Sequence, residues 1–192
     1  LTAADTLMPR AYGSGRYAEL GRLAIRGFVM CSLLLVAPVV PLCTAMEWIF
    51  DKLGQDVYAS HLASQWIKVY LIGVPAMLLF RVVRSFLNAQ HNVWPLVYAS
   101  VVSCFLVHPI LLKIFVSHFG FIGSSIAICS TQYVMAGFLL LYLRFKPVYK
   151  KETWPGMSRS YFLEAISPRP MMAFLSLSLG GVLSLSVRLL DK

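Results

Sequence analysis

The chain has 192 residues, of which 58% are hydrophobic and 13% charged, and its mean hydropathy is +0.72. This composition excludes an ordinary soluble domain, because such domains contain about 25% charged residues. The formal charge of +9 would suit a nucleic-acid partner, but the cations cluster in short connections beside apolar stretches and no RNP, zinc-finger or helix-turn-helix pattern is present. Nucleic acid is therefore excluded as a partner.

Five apolar stretches are each long enough to cross a bilayer as a helix. They cover residues 27–50, 58–80, 93–112, 121–143 and 170–187. A helix rises about 1.5 Å per residue, so about 20 residues cross a hydrocarbon core of about 30 Å. The pattern predicts an all-α, polytopic bundle of membrane helices, with the lipid bilayer as its surroundings.

The positive charges fall on alternate connections between these stretches. One face would hold twelve of the 17 basic residues, namely Arg10, Arg16, Arg22, Arg26, Arg81, Arg84, Arg144, Lys146, Lys150, Lys151, Arg159 and Arg169. The other face would hold the remaining five, namely Lys52, Lys68, Lys113, Arg188 and Lys192. The positive-inside rule places the face with twelve in the cytosol. Lys68 lies inside a predicted span, where extension of its long side chain toward the interface is favoured over a role in a polar cavity.

Small and sulfur-containing residues indicate packing rather than metal or redox chemistry. Gly123, Ala127 and Thr131 recur at a spacing of four, which lets two membrane helices approach closely. The four cysteines are far apart and form no CxxC pair, so the sequence predicts no zinc, redox or other metal site. It also has no phosphate-binding glycine loop, HExxH or GxSxG motif, and we expect no enzymatic activity.

Five segments, in order and at consistent spacing, resemble the eukaryotic form of the multidrug and toxic compound extrusion (MATE) family. ADTLMPRAYGSGRYAELG resembles the family's LDTLCSQAYGAGNYKLLG at the end of its second helix. RSFLNAQHNVWP resembles RRFLQAQGIVWP, and GFIGSSIAICSTQY resembles GVAGAALATSISYW. The remaining two are LGQD and KETWPGMS. The five segments begin at residues 4, 53, 84, 120 and 151.

The resemblance implies a fold and a division of the chain. MATE proteins have twelve helices in two six-helix lobes, so residues 1–146 would form a partial N-terminal lobe. This lobe would contain the end of helix two, then helix three at about 20–50, four at 57–90, five at 93–117 and six at 121–145. Residues 147–159 would be a cytoplasmic linker between lobes, and 160–192 a surface helix and a truncated, divergent seventh helix.

The resemblance also implies an activity. The family exports organic, often cationic compounds or xenobiotics by antiport against protons or sodium, with no other cofactor, from the plasma membrane or a vacuolar or other organelle membrane. Eukaryotic members commonly carry a coupling glutamate in the seventh helix, and alignment places Ser176 there. No acidic residue lies in the middle of a predicted span, so the coupling group is not among these residues.

Four polar residues within the spans are candidates to line a substrate cavity: Gln132, Tyr133, Tyr98 and Tyr70. Gln132 and Tyr133 would hold an organic cation by a hydrogen bond and by attraction to the ring face. Hydrogen bonds between helices are the alternative for both residues, and it is favoured. His108 precedes Pro109 near a span end, and a hydrogen-bonded or solvated histidine is favoured there over a titrating one.

Because the chain begins with Leu1 and has too few spans for two lobes, we expect a fragment, a splice product or a decayed gene. Such a partial lobe would not transport without its second lobe. A non-transporting interaction protein is the main alternative, pairing with a full-length homologue through Gly123, Ala127 and Thr131. A lipid-flipping relative from the wider superfamily is the third.

Overall fold

The computed structural model describes residues 2–146, 151–154, 164, 171–172, 175–176 and 180, and every regular element among them is helical. The predicted all-α class is therefore confirmed. The elements are α1 (Thr2–Gly13), α2 (Tyr17–Leu34), α3 (Val40–Thr44), α4 (Met46–Lys52), α5 (Val57–Ala89), α6 (Trp94–Val101), α7 (His108–Phe119) and α8 (Phe121–Phe145). Two π-helical segments, Leu35–Val39 and Val102–Val107, and a 3₁₀ turn, Lys151–Thr153, complete them.

Four helical stretches are long and apolar enough to cross a membrane. They are Tyr17–Thr44, Val57–Ala89, Trp94–Phe119 and Phe121–Phe145. The predicted linker at 147–159, the surface helix and the fifth apolar stretch at 170–187 lie largely outside the described residues.

Prolines account for the irregular turns within two of these stretches. The first π-helical segment contains Pro38 and ends two residues before Pro41, and the second ends two residues before Pro109. A proline has no N–H to donate to the carbonyl four residues earlier, and its ring crowds that carbonyl. A wider π turn relieves both effects without ending the helix.

Glycines at positive φ make two of the connections. Gly15 has φ 76° in the turn between α1 and α2, and Gly120 has φ 59° as the single residue between α7 and α8. A residue with a Cβ adopts this region only with strain. A one-residue connection also forces α7 and α8 to pack against each other as an antiparallel pair.

The chain divides into two compact units. Unit 1 contains residues 1–31, 81–93 and 147–192, and unit 2 contains 32–80 and 94–146. In unit 1, large apolar side chains such as Met8, Leu20 and Leu87 are fully buried. Trp154 packs edge-on against Phe86, with ring centroids 6.2 Å apart, and also packs on Ile25.

Candidate functional site

In unit 2, five of the seven candidate residues of the sequence lie on α8, one face of which packs closely on α7. A Cβ built on Gly123 would lie 2.1 Å from the carbonyl oxygen of Phe115, so only glycine fits there. Ala127 is fully buried, and His108 Nδ1 lies 3.1 Å from the Thr131 hydroxyl, which donates to the Ala127 carbonyl at 2.7 Å. The favoured prediction of a hydrogen-bonded or solvated His108 is therefore confirmed.

The opposite face of α8 is hydrogen-bonded to the backbone of α5. The Ser125 hydroxyl donates to the Trp66 carbonyl at 2.9 Å, the Cys129 thiol to the Val69 carbonyl at 3.3 Å, and the Tyr133 hydroxyl to the Ile72 carbonyl at 2.8 Å. We call Ser125, Cys129 and Tyr133 the α5 ladder. Its residue numbers rise together with those of the carbonyls, so α5 and α8 run parallel.

The α5 ladder depends on a close approach between the two helices. A Cβ on Gly73 of α5 would lie 2.9 Å from Cys129 Cα and 2.8 Å from its Sγ. Two residues along a helix turn the side chain by about 200°, so the ladder lies opposite Gly123, Ala127 and Thr131. The first set of small residues was predicted from its spacing, whereas Ser125 and Cys129, which have the same spacing, were not predicted to pack.

The four cavity candidates occupy different surroundings. The Gln132 Oε1 atom is buried and has no hydrogen-bond partner among the described residues. Tyr133 is 50% exposed although its hydroxyl is bound to α5. The Tyr70 ring stacks on Trp66 at 5.2 Å, and the indole N–H of Trp66 donates to Ser124 at 2.8 Å.

The contacts of Tyr98 differ from those of the other three candidates. It is 49% exposed and stacks on Trp94, one turn earlier on α6, with ring centroids 6.1 Å apart. Among the described residues, no hydrogen bond or ring contact joins Tyr98 to Tyr70, Gln132 or Tyr133. A role of these four residues in substrate binding stays a prediction.

A polar cluster on α4 and α5 was not predicted as a unit. His61 Nδ1 lies 2.9 Å from Glu47 Oε1, and the Gln65 amide lies 2.8 Å from His61 Nε2. Lys68 Nζ is 3.9 Å from the second Glu47 oxygen. The hydrogen bond with His61 is the main cause that holds the pKa of Glu47 below its ordinary value, and the charges of His61 and Lys68 add to it.

Comparison with known proteins identifies the family. The sequence profile of the MatE family matches residues 1–114, which is more than half of the chain. The chain belongs to the MatE family. The predicted MATE resemblance is thus confirmed, and family members are transporters and integral membrane proteins.

Individual relatives extend this similarity over nearly all of the chain. Multidrug and toxin extrusion protein 2 of Oryctolagus cuniculus is 31% identical over 97% of this chain and 30% of its own length. Protein DETOXIFICATION 16 of Arabidopsis thaliana is 30% identical over 95% of this chain and 36% of its own length. The chain thus spans about a third of the length of the curated relatives it matches.

A solved structure confirms the predicted fold as a partial lobe of this transporter class. The crystal structure of the eukaryotic MATE transporter AtDTX14 matches with a TM-score of 0.79 and 26% identity. The match covers 92% of this chain and 38% of that one. The MatE chain is therefore an integral membrane protein with part of the helical architecture of that transporter.

Proposed function

We propose that this MatE chain is part of an antiporter that exports organic, often cationic compounds in exchange for protons or sodium. The observation that carries the proposal is the match of residues 1–114 to the MatE profile. The names of two relatives, multidrug and toxin extrusion proteins of Oryctolagus cuniculus and Danio rerio, support the substrate class. The plasma membrane and a vacuolar or other organelle membrane are both suitable sites for such export.

We further propose that transport requires a second lobe, because the chain matches only 30% of the length of these two relatives. The distribution of carboxylates supports this. Asp5, Glu47, Asp51, Asp56 and Glu152 lie outside the four membrane-spanning stretches, and Glu19 lies in the first turn of one. A proton-coupled step needs a titratable group that both sides of the membrane can reach in turn.

The proposed contribution of this chain to substrate binding is Gln132 together with Tyr133, the next residue along α8. A buried amide oxygen without a partner is costly, and a donor group on an organic cation would satisfy it. The half-exposed ring of Tyr133 offers a face for cation–π attraction. The alternative role as an interaction protein finds less support, because Gly123 and Thr131 already contact α7 within the chain.

Binding of ethidium to the purified chain in nanodiscs tests the site. Loss of one hydrogen bond corresponds to about a fivefold weaker affinity, which we expect for Gln132→Ala. Gln55→Ala is the matched control, since Gln55 is exposed in the connection before α5. Equal affinity of Gln132→Ala and the native chain would remove Gln132 from the site.

Transport is tested separately in proteoliposomes with an imposed pH gradient. We expect ethidium uptake by the 192-residue chain to equal that of protein-free liposomes, while the full-length rabbit relative reconstituted in the same way serves as the positive control. Proton-driven uptake by this chain alone would refute the need for a second lobe.

A further inference from the structure

Unit 1 contains a pocket that the transport proposal does not use. Asp5 and Pro9 of α1 line one side, and the other side is formed by Arg81, Arg84, Ser85 and Asn88 of α5. Its volume is about 390 Å³. The α5 residues are spaced at i, i+3, i+4 and i+7, which places all four on one helix face.

The charges in this pocket are unbalanced. Arg81 and Arg84 are exposed, and neither forms an ion pair with a carboxylate in the described part of the chain. By contrast, Arg16 pairs with Glu19 at 2.9 Å and Arg22 with Glu164 at 3.2 Å. The Asp5 carboxylate accepts a hydrogen bond from the Ser85 hydroxyl. Two guanidinium groups and one carboxylate leave the pocket with one positive charge in excess.

The position of the pocket along α5 places it at the level of lipid headgroups. Arg81 follows Val57, the first residue of α5, by 24 residues, which corresponds to about 36 Å of helix. This exceeds the ~30 Å of the hydrocarbon core. The asymmetry of the basic residues puts this end on the cytoplasmic side, where the leaflet is anionic.

We propose that the pocket binds a phosphate monoester, with its oxygens held between the Arg81 and Arg84 guanidinium groups and within reach of the Asn88 amide. The planar guanidinium donates two parallel hydrogen bonds to phosphate oxygens, and two such groups on one helix face suit one phosphate. A volume of about 390 Å³ leaves room for the group that carries the phosphate. A phosphatidate headgroup and a free phosphate compound both offer this chemistry.

Calorimetric titration of the purified chain in neutral detergent tests the proposal with three probes. Dioctanoyl phosphatidic acid represents the lipid source, glycerol 3-phosphate the free source, and dioctanoyl phosphatidylcholine is the negative probe. We expect Arg81→Gln and Arg84→Gln each to weaken binding of the phosphate probe about tenfold, which corresponds to one charge-assisted hydrogen-bonded contact. Arg10→Gln is the control, since Arg10 is exposed on α1 and does not line the pocket.

The Asp5→Asn variant is expected to change the phosphate affinity in the opposite direction. Tighter binding by this variant cannot be explained by misfolding. The amide still accepts the Ser85 hydrogen bond but removes the repelling charge, so we expect phosphate binding to tighten about threefold, the size of a screened surface charge interaction. Binding of phosphatidic acid alone would assign the lipid source, and equal binding of glycerol 3-phosphate the free one. No binding of either probe, equal loss in Arg10→Gln, or weaker binding by Asp5→Asn would overturn the proposal.

Discussion

The two units of the chain are packed with different side chains. Among the described residues of unit 1, the largest fully buried side chains are Met8, Leu20, Leu87 and Thr153. In unit 2 they are Leu139 and four serines, namely Ser60, Ser64, Ser103 and Ser125. Unit 1 thus resembles the interior of a soluble protein, whereas the interior of unit 2 is small and polar.

At the exposed surfaces, unit 2 rather than unit 1 carries most of the large apolar side chains. All the large exposed apolar side chains of the described residues belong to unit 2, apart from Val93 and Met172, and Phe105 and Ile72 are 75% and 63% exposed. Burying a large apolar side chain brings no gain where the surroundings are lipid. Helices in lipid therefore associate through close backbone approach and hydrogen bonds, and the large side chains of unit 2 face outward.

The largest expected effect is the loss of a buried side chain in unit 1. Leu87→Ala removes a fully buried side chain and is expected to lower the free energy of unfolding by about 2–5 kcal/mol. Phe105→Ala in unit 2 removes a larger but mainly exposed side chain, with an expected change of about 0.5 kcal/mol or less. Thermal unfolding in lipid nanodiscs measures both, and an equal loss in the two variants would contradict the comparison.

A smaller loss is expected when a side chain is added within unit 2. Gly123→Ala would place Cβ 2.1 Å from the Phe115 carbonyl oxygen, and overpacking of this kind costs about 1–3 kcal/mol. Gly137→Ala is the matched control on the same helix, because no atom lies within 4 Å of a Cβ at Gly137. The same unfolding measurement applies, and a Gly123→Ala variant as stable as Gly137→Ala would show that α7 and α8 are not in tight contact.

The contrast between units also explains which features the sequence reveals. The apolar length of each span is a local property, and the all-α fold and MATE resemblance followed from the spans and motifs. The spacing of Gly123, Ala127 and Thr131 was equally visible. The helix that these residues contact is not visible, because the sequence does not show that the chain turns at Gly120 so that α8 runs back along α7.

The missed features join residues that are distant in the sequence. Tyr133 was predicted to line a cavity and hold an organic cation, with a hydrogen bond between helices as the favoured alternative. That hydrogen bond is present, but nothing local in the sequence indicates that the Ile72 carbonyl, 61 residues earlier, accepts it. The hydrogen bond between Ser85 and Asp5 crosses 80 residues. The pocket beside it was missed for the same reason, although Arg81, Arg84 and Asn88 share one helix face.

The smallest expected effect concerns the polar cluster at the other end of α5, where ion pairing supplements the packing of unit 2. The hydrogen bond with His61 lowers the pKa of Glu47 in the folded chain. A carboxyl group with a lowered pKa stabilises the fold above its unfolded-state pKa, about 4.3, and this contribution is lost as the pH falls through the lower, folded-state pKa. We therefore expect the Tm of the native chain to exceed that of Glu47→Gln at neutral pH, and the difference to disappear in acid.

Asp51→Asn is the control, since the exposed Asp51 side chain has no hydrogen bond or ion pair among the described residues. A Tm difference between native and Glu47→Gln that stays undiminished below the folded-state pKa of Glu47 would show that Glu47 acts through packing rather than through its charge.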